Sequence, residues 1–451
     1  MSDVAEASAH AAPGDRGFTR LDYQLNDYPG PTRTALFGIQ HVLVMFTAMV
    51  GGPLIVARLL NLSAETRIEM VTGTMIGCGL ATIVSALGVS FIGPRLPIVM
   101  GVFYIFIGPL VAIAKDVSLA AAMTALFLGG LVQFAWSPLI GRMHRFFPPI
   151  VTGTTILLIG TGLMKIGISV ATGANTPAFG KPLTLGLAAL MILLIVVISR
   201  YATGFVRTLS LFVTMVIGYV VSAALGLLDF QSVFNAQWLK IPNPLPYGAP
   251  EWPGTIALLT VVVCFFATAV ETTGHTLAVC RICGVPAESW RIRGAVANDG
   301  IGSAVSALFG GMALTSYSQN IGVISLTGVG SRFVVAAGGA FLVLMALIPK
   351  VGAIIALMPN AVLGGVLLFM FGMVASVGID IIGNNMKTRR DALIVASSLA
   401  LGLGIQAAPP GAFDAIPQAF RVLVTDGIVM GILLAMFLNI FFPQDAEKKQ
   451  S

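Results

Sequence analysis

Long apolar runs recur along the chain from Thr34 to Phe442, separated by short polar or charged segments. A helix needs about 20 mostly apolar residues to cross a bilayer, and most of these runs reach that length. We therefore predict an all-α polytopic membrane protein with fourteen spans and short β-like stretches in the third and tenth. The predicted spans cover residues 34–57, 68–91, 96–114, 119–140, 150–171, 183–199, 204–228, 254–279, 287–310, 318–330, 332–348, 361–382, 391–408 and 421–442.

Two of these spans are irregular. In the tenth, the polar run Thr-Ser-Tyr-Ser-Gln-Asn-Ile-Gly at 315–322 interrupts the apolar pattern, and polar groups at membrane depth must face protein, ligand or water. We predict extended backbone at 315–317, Ser318 as helix N-cap and a short helix over 320–330. In the third, Pro94 and Pro97 forbid a regular helix, the pair at 98–99 favours extended backbone, and a helix can resume at Val102. Broken helices near the midplane are typical of transporter binding sites.

The predicted spans divide evenly around a loop at 229–253 that is rich in proline and aromatic residues. Seven spans precede the loop (34–228) and seven follow it (254–442), so the halves have opposite orientations, as in an inverted repeat. The remaining residues form tails at 1–33 and 443–451. The first tail holds no apolar core of a signal peptide.

Charge supports this topology. Charged residues make up 10% of the chain and hydrophobic residues 57%, whereas soluble proteins carry roughly 25% charged residues. With both tails cytoplasmic, about two thirds of the 25 Lys and Arg residues fall on the inner side, as the positive-inside rule requires.

Five ionisable or amide side chains inside the spans are candidates for a functional or bracing role. Glu271 lies deep in the eighth span, where a carboxylate is costly and functional by default. His275 is one helical turn further on the same face, so the pair could hold or pass a proton. Asp299 in the ninth span is either a coupling carboxylate or a structural cap, and His41, beside Gln40 in the first span, is expected to brace neighbouring helices.

The side chains near the breaks indicate the kind of ligand. Gln319 offers an amide acceptor and donor side by side, and Glu271 offers two acceptor oxygens. Phe103 and Tyr104 follow the first break, and we expect one of them, Tyr104, to offer a flat face for stacking. The set suits a planar heterocycle with N–H and C=O edges, and the lack of Lys or Arg at this depth argues against an anion such as sulfate.

Other classes find little support. Cys280 and Cys283 form a lone CxxC without a second pair at zinc-finger spacing, so free thiols and no metal are expected. Neither an HExxH arrangement nor a nucleophile motif is present, and we expect no enzymatic activity. Nothing in the sequence indicates a nucleic-acid partner.

The run at 319–328, Gln-Asn-Ile-Gly-Val-Ile-Ser-Leu-Thr-Gly, matches the signature [Gln/Glu/Pro]-Asn-x-Gly-x4-Thr-[Arg/Lys/Gly]. Together with Gln40-His41, the Arg-Leu-Pro entry at 95–97, the context of Glu271 and the lead-in from Tyr23, it makes the chain resemble the nucleobase–ascorbate transporter family, xanthine/uric acid permease type. The resemblance extends from Tyr23 to Phe442.

The resemblance implies fourteen spans in two inverted repeats. Spans 1–4 and 8–11 would form a core domain, and spans 5–7 and 12–14 a gate domain through which a homodimer often forms. The protein would lie in the bacterial inner membrane, in contact with lipid, and import a nucleobase with a proton as coupling ion and no other cofactor. We predict an elevator mechanism, in which the core slides against the gate.

The resemblance also assigns roles to residues. Glu271 and Gln319 would bind the base, the backbone near Tyr104 and Gly322 would complete the pocket, and Asn320 would support Gln319. Asp299 would be needed for coupling, so that Glu271, His275 and Asp299 all remain candidates for the proton.

The predicted identity of the substrate depends on two positions that indicate different bases. Gln319 and the Thr-Gly pair at 327–328 look like xanthine and uric acid carriers, whereas His275 stands where those carriers commonly have Asp and looks like the uracil type. The expectation is an oxidised purine, with uracil as the alternative and an anion exchanger of the same general fold as a third possibility.

Overall fold

The computed structural model describes residues 21–140, 148–174, 176–317, 319–409 and 411–442, with the backbone alone at 418–419. Most of the predicted N-terminal tail, the whole C-terminal tail and the predicted cap Ser318 lie outside the described residues.

Helices dominate the described chain, and the only paired strands in it form one short ribbon. The first half contains α1 Pro31–Leu59, α2 Ala64–Leu87, β1 Met100–Val102, α3 Ile107–Asp116, α4 Leu119–Trp136, α5 Pro149–Ala171, α6 Pro182–Tyr201, α7 Gly204–Thr208 and α8 Ser210–Ala224. The loop and second half contain α9 Gln231–Asn235, α10 Thr255–Ile282, α11 Ser289–Leu308, β2 Leu314–Ser316, α12 Gln319–Thr327, α13 Arg332–Ala346, α14 Pro349–Ala356, α15 Asn360–Asn385, α16 Arg389–Ala407, α17 Gln418–Val424 and α18 Gly427–Phe441.

Eight of the described helices are long and apolar enough to cross a membrane, so the chain is a multi-pass membrane protein. The count of fourteen spans stays a prediction. The eleventh predicted span, 332–348, corresponds to α13, and a bend of 86° separates α13 from α14, which begins at Pro349. The bend falls at Ile348, whose backbone is extended (φ −109°, ψ 91°), as a following proline favours.

The two predicted breaks pair with each other. β1 and β2 run antiparallel with Gly101 opposite Thr315, and the amide of Tyr317 extends the ladder to Val99 O at 3.0 Å. Extended backbone is predicted at 98–99, where the ladder reaches Val99 O, but the strand runs on to Val102 and no helix resumes there. A 3₁₀ turn begins at Tyr104 and leads into α3. The position of β1 is fixed by its pairing with β2, and local β-propensity carries no information about that pairing.

Helices from the two halves pack in pairs. α2 packs along α13, α4 along α11, and α5 along α15, while α16 packs against α18. Small residues permit this closeness: a Cβ on Gly79 would lie 2.7 Å from Gly339 O, and a Cβ on Gly130 would lie 2.5 Å from Gly300 O. Close backbone approach at small residues is the usual basis of helix association in lipid.

The loop at 229–253 lies on the ends of α2 and α11. Lys240 Nζ is 3.4 Å from Glu69 Oε1, and Tyr247 donates its hydroxyl hydrogen to Gly310 O at 3.0 Å. These contacts attach the loop to helices that also hold the ribbon.

Candidate functional site

A chain of polar side chains joins α10 to the second strand. Thr272 Oγ1 lies 3.0 Å from Ser316 Oγ and 3.3 Å from Thr315 Oγ1. His275 Nδ1 lies 2.9 Å from the same Ser316 hydroxyl and 3.1 Å from Ser316 O. Since a carbonyl oxygen only accepts, the Nδ1–H of His275 donates to it, and Nε2 is left facing the other way.

That second nitrogen faces Glu271. His275 Nε2 is 4.0 Å from Glu271 Oε1, and about a quarter of the Glu271 side chain (24%) is exposed. The other oxygen, Oε2, is buried and has no hydrogen-bond partner in the described part of the chain. A carboxylate that lacks donors at membrane depth is costly, so it is a ready acceptor for ligand N–H groups or for a proton.

The start of α12 presents an open face. Gln319 is partly exposed, and its amide makes no hydrogen bond to another described residue. Gly322 lies one turn further on the same face, and a Cβ there would have no atom within 4 Å. This face therefore has both a free amide and free space.

Asn320, the next residue, points into the protein instead. It is 2% exposed; the Nδ1–H of His41 donates to its Oδ1, and its Nδ2 donates to Pro97 O at 2.7 Å. One buried amide thus connects α1, the first break and α12. Gln40 is partly exposed and makes no side-chain hydrogen bond among the described residues.

The aromatic residues after the first break are packed. Tyr104 is 7% exposed, its hydroxyl donates to Ala48 O at 2.5 Å, and its ring meets Phe371 edge-on with centroids 5.2 Å apart. Phe103 is 6% exposed and packs edge-on against Phe106. In this conformation neither ring turns a flat face to open space.

Asp299 lies on the other side of Thr272. It is fully buried, and neither carboxylate oxygen meets hydrogen-bond geometry with a described residue. The Thr272 hydroxyl and the Glu271 carboxyl are within electrostatic reach of it. Ser303, one turn further along α11, accepts from Leu314 N at 2.8 Å and so fixes the start of β2.

The structure therefore brings Glu271, His275 and Asp299 together through two residues that sequence reasoning did not single out, Thr272 and Ser316. The signal was present for both. Thr272 adjoins Glu271 on a helix, and Ser316 belongs to the polar run of the tenth span. Among the described residues, no group of three or more His, Cys, Asp or Glu side chains could hold a metal ion, and all four cysteines are free.

Comparison with known proteins adds to this geometry. A model described as "Permease family", for xanthine and uric acid permeases, matches residues 32–411. The uric acid permease PucJ of Bacillus subtilis is 34% identical over 90% of this chain and 91% of its own length. The xanthine permease XanQ of Escherichia coli is 32% identical over 98% of this chain and 96% of its own.

A solved structure shares the fold. The transmembrane domain of a cyanobacterium bicarbonate transporter, BicA, superposes with a TM-score of 0.59 at 18% identity, covering 92% of this chain and 99% of that domain. At this identity the likeness concerns architecture alone.

The match spans most of the chain, the relatives are transporters at 30% identity or more, and the signature lies on the helix that presents the open amide. The chain is a membrane permease rather than an enzyme, and it belongs to the xanthine and uric acid permease family, the nucleobase–ascorbate transporter family that its signature indicates.

Proposed function

We propose that this permease is a proton-coupled symporter that imports an oxidised purine, xanthine or uric acid. The observation that carries the proposal is the presence, on the neighbouring helices α10 and α12, of a partly exposed, under-bonded carboxylate, Glu271, and of the free amide and open face at Gln319 and Gly322. The names of its relatives, uric acid permease and xanthine permease, support the same substrate class.

Recognition follows from hydrogen-bond complementarity. Oxidised purines present N–H and C=O groups side by side. The Gln319 amide supplies one donor and one acceptor, and Glu271 accepts from ring N–H groups. A site that hydrogen-bonds an edge rejects analogues that lack it, because its own polar groups are then left unpaired.

Proton coupling uses the polar chain between α11 and α10. Asp299, Thr272, Ser316, His275 and Glu271 follow one another at hydrogen-bonding or electrostatic range. A proton held between His275 Nε2 and Glu271 Oε1 offsets the buried charge while Glu271 Oε2 accepts from the base. Loss of this proton to the cytoplasm leaves the buried charge uncompensated and so destabilises the loaded site.

The transport step is an elevator movement. The core comprises spans 1–4 and 8–11, and the gate comprises spans 5–7 and 12–14. The ribbon, together with Gln319 and Gly322 on α12, moves with the core. The packing pairs support two inverted repeats, since exchanging the halves turns the α2–α13 pair (spans 2 and 11) into the α11–α4 pair (spans 9 and 4). In each pair, the two helix backbones approach each other closely at a pair of glycines, one from each helix. We further propose an inner-membrane homodimer through the gate, with cytoplasmic termini.

Uracil is the second candidate substrate. His275 favours it, since the position one turn after Glu271 looks like the uracil type of the family, whereas Gln319 favours the purines. An anion exchanger is less well supported, because the under-bonded Glu271 would repel an anion.

Uptake of radiolabelled xanthine tests the proposal, with unlabelled uric acid, uracil and adenine as competitors and with or without a protonophore. We expect saturable uptake that uric acid inhibits and the protonophore abolishes. Uptake of uracil but not of xanthine would make uracil the substrate in place of the oxidised purine. Exchange of an inorganic anion that resists the protonophore would contradict the proposed proton symport.

A further inference from the structure

A cluster of four arginines lies away from the candidate site, at the ends of elements that hold the ribbon. It consists of Arg95, which precedes β1, Arg291 and Arg293 in the first turns of α11, and Arg332, the first residue of α13. We call these four residues the arginine patch. All four fall on the side of the membrane that the charge pattern predicts to be cytoplasmic.

Contacts fix the geometry of the patch. The guanidinium groups of Arg95 and Arg291 both lie over the Trp290 ring, 5.8 and 4.5 Å from its centroid. Arg293 lies 5.7 Å over the Phe91 ring, and Arg332 is within Coulombic range of Arg95 and Arg291. These stacked arrangements hold like charges close together.

The patch carries positive charge that no ion pair among the described residues offsets. None of the four guanidinium groups is within 4.0 Å of a carboxylate in the described part of the chain, where the ion pairs involve other residues. One arginine donates to the backbone, from Arg291 Nη1 to Pro94 O at 2.8 Å. Repulsion between like charges that are held close together is unfavourable, so an anion bound among these guanidinium groups would be stabilised.

The surroundings identify that anion. Trp290 is 37% exposed and Phe91 46%, and exposed aromatic side chains beside arginines at the ends of spans are typical of the headgroup level of a bilayer. Guanidinium groups bind phosphate through paired N–H donors, and basic pockets on the cytoplasmic side attract anionic headgroups.

We propose that the arginine patch is a binding site for anionic phospholipid headgroups. One phosphate there would bridge the approach to β1 with the starts of α11 and α13. Bound lipid would then stabilise the position of the core in which these arginines reach the headgroups, and transport would depend on anionic lipid. The proposal does not depend on which base is carried.

Purified full-length protein in phosphatidylcholine vesicles, with or without phosphatidylglycerol, tests the site. Retained phosphatidylglycerol is counted by native mass spectrometry, and uptake is measured in the same vesicles. We expect Arg293→Gln with Arg332→Gln to weaken lipid retention by about fivefold for each arginine removed, and to abolish the response of uptake to phosphatidylglycerol.

The matched control is Arg200→Gln with Arg207→Gln, which removes the same charge on the same predicted side but outside the patch. It should retain lipid like the unmodified protein. The pair Arg293→Lys with Arg332→Lys keeps the charge and should retain most of the lipid, which separates lost charge from lost folding.

Two results would overturn the proposal. One is equal lipid loss in the patch and control variants. The other is full displacement of phosphatidylglycerol by inorganic phosphate, which would make the patch a site for free phosphate. If the glutamine variants do not fold, the test rests on the unmodified protein and the lysine variant. Absence of bound phosphatidylglycerol from both of these proteins would contradict the proposed lipid site.

Discussion

The two broken segments pair with each other through their backbones, yet their side chains have opposite characters. In the first, the strand β1 and the residue after it are apolar and packed: Met100, Val102 and Phe103 are buried. The second places Thr315 and Ser316 against polar groups of α10 and continues into the helix with the open amide of Gln319. The two halves thus share this backbone arrangement, whereas the side chains of the proposed recognition site are concentrated in one of them.

The difference separates two ways in which a residue can matter. In the first segment a side chain acts on the shape of the ribbon, so its loss should change folding before it changes affinity. Around the second segment, Glu271, Gln319 and Gly322 touch free space, so their loss should change transport and leave folding intact.

Replacement of the under-bonded carboxylate is the strongest test. Glu271→Gln keeps the size of the side chain but removes the charge that accepts from the base and holds the proton. We expect uptake to fall by about a hundredfold or more, with unchanged expression and thermal stability. Ordinary uptake by this variant would remove Glu271 from the proposed mechanism.

The buried amide that joins the segments should come next. Asn320→Leu leaves the imidazole of His41 and the carbonyl of Pro97 without their partner, at a cost of about 1–3 kcal/mol for each unsatisfied group. We expect a lower melting temperature together with reduced uptake. Gln40→Leu, which breaks no hydrogen bond between described residues, is the control, and an equal effect of both would contradict the bridging role of Asn320.

Two glycines give opposite expectations for one methyl group. In Gly101→Ala the new Cβ meets the ring of Tyr317, and overpacking should lower stability by about 1–3 kcal/mol. In Gly322→Ala the Cβ meets nothing, so stability should hold while KM for the base rises. Thermal unfolding and uptake kinetics of both variants check this, and the reverse pattern would refute the contrast.

Tyr104→Phe should have the smallest effect. It removes the hydroxyl that donates to Ala48 O and should cost about 1 kcal/mol of stability, with KM nearly unchanged. A KM raised several-fold would mean that the hydroxyl contacts the base in another conformation, and the first segment would then share in recognition.

Much of this arrangement could be predicted from the order of residues. Polar residues inside an apolar run located the tenth span, and two prolines located the third, because both signals are local. The exact extent of β1 could not be read in the same way, since its hydrogen bonds run to β2, more than two hundred residues away in the chain.

The side-chain partners show the same limit. The sequence indicated that His41 braces neighbouring helices, but it could not identify the partner. The hydrogen bond joins His41 to Asn320, far away in the chain, and a single sequence does not show which distant residues are close in space. By contrast, the bend between α13 and α14 has a local signal in Pro349, which disfavours helical backbone at the residue before it.

The two strands of the ribbon are synthesised at different times, so β1 must wait for its partner. β1 emerges from the ribosome about 210 residues before β2, which at roughly 5–20 residues per second is a delay of about 10–40 s. During that interval its ladder groups have no strand to pair with in a low-dielectric surrounding that penalises unmet donors. The newly inserted first half must therefore be sheltered by the insertion machinery or by water until the second half arrives.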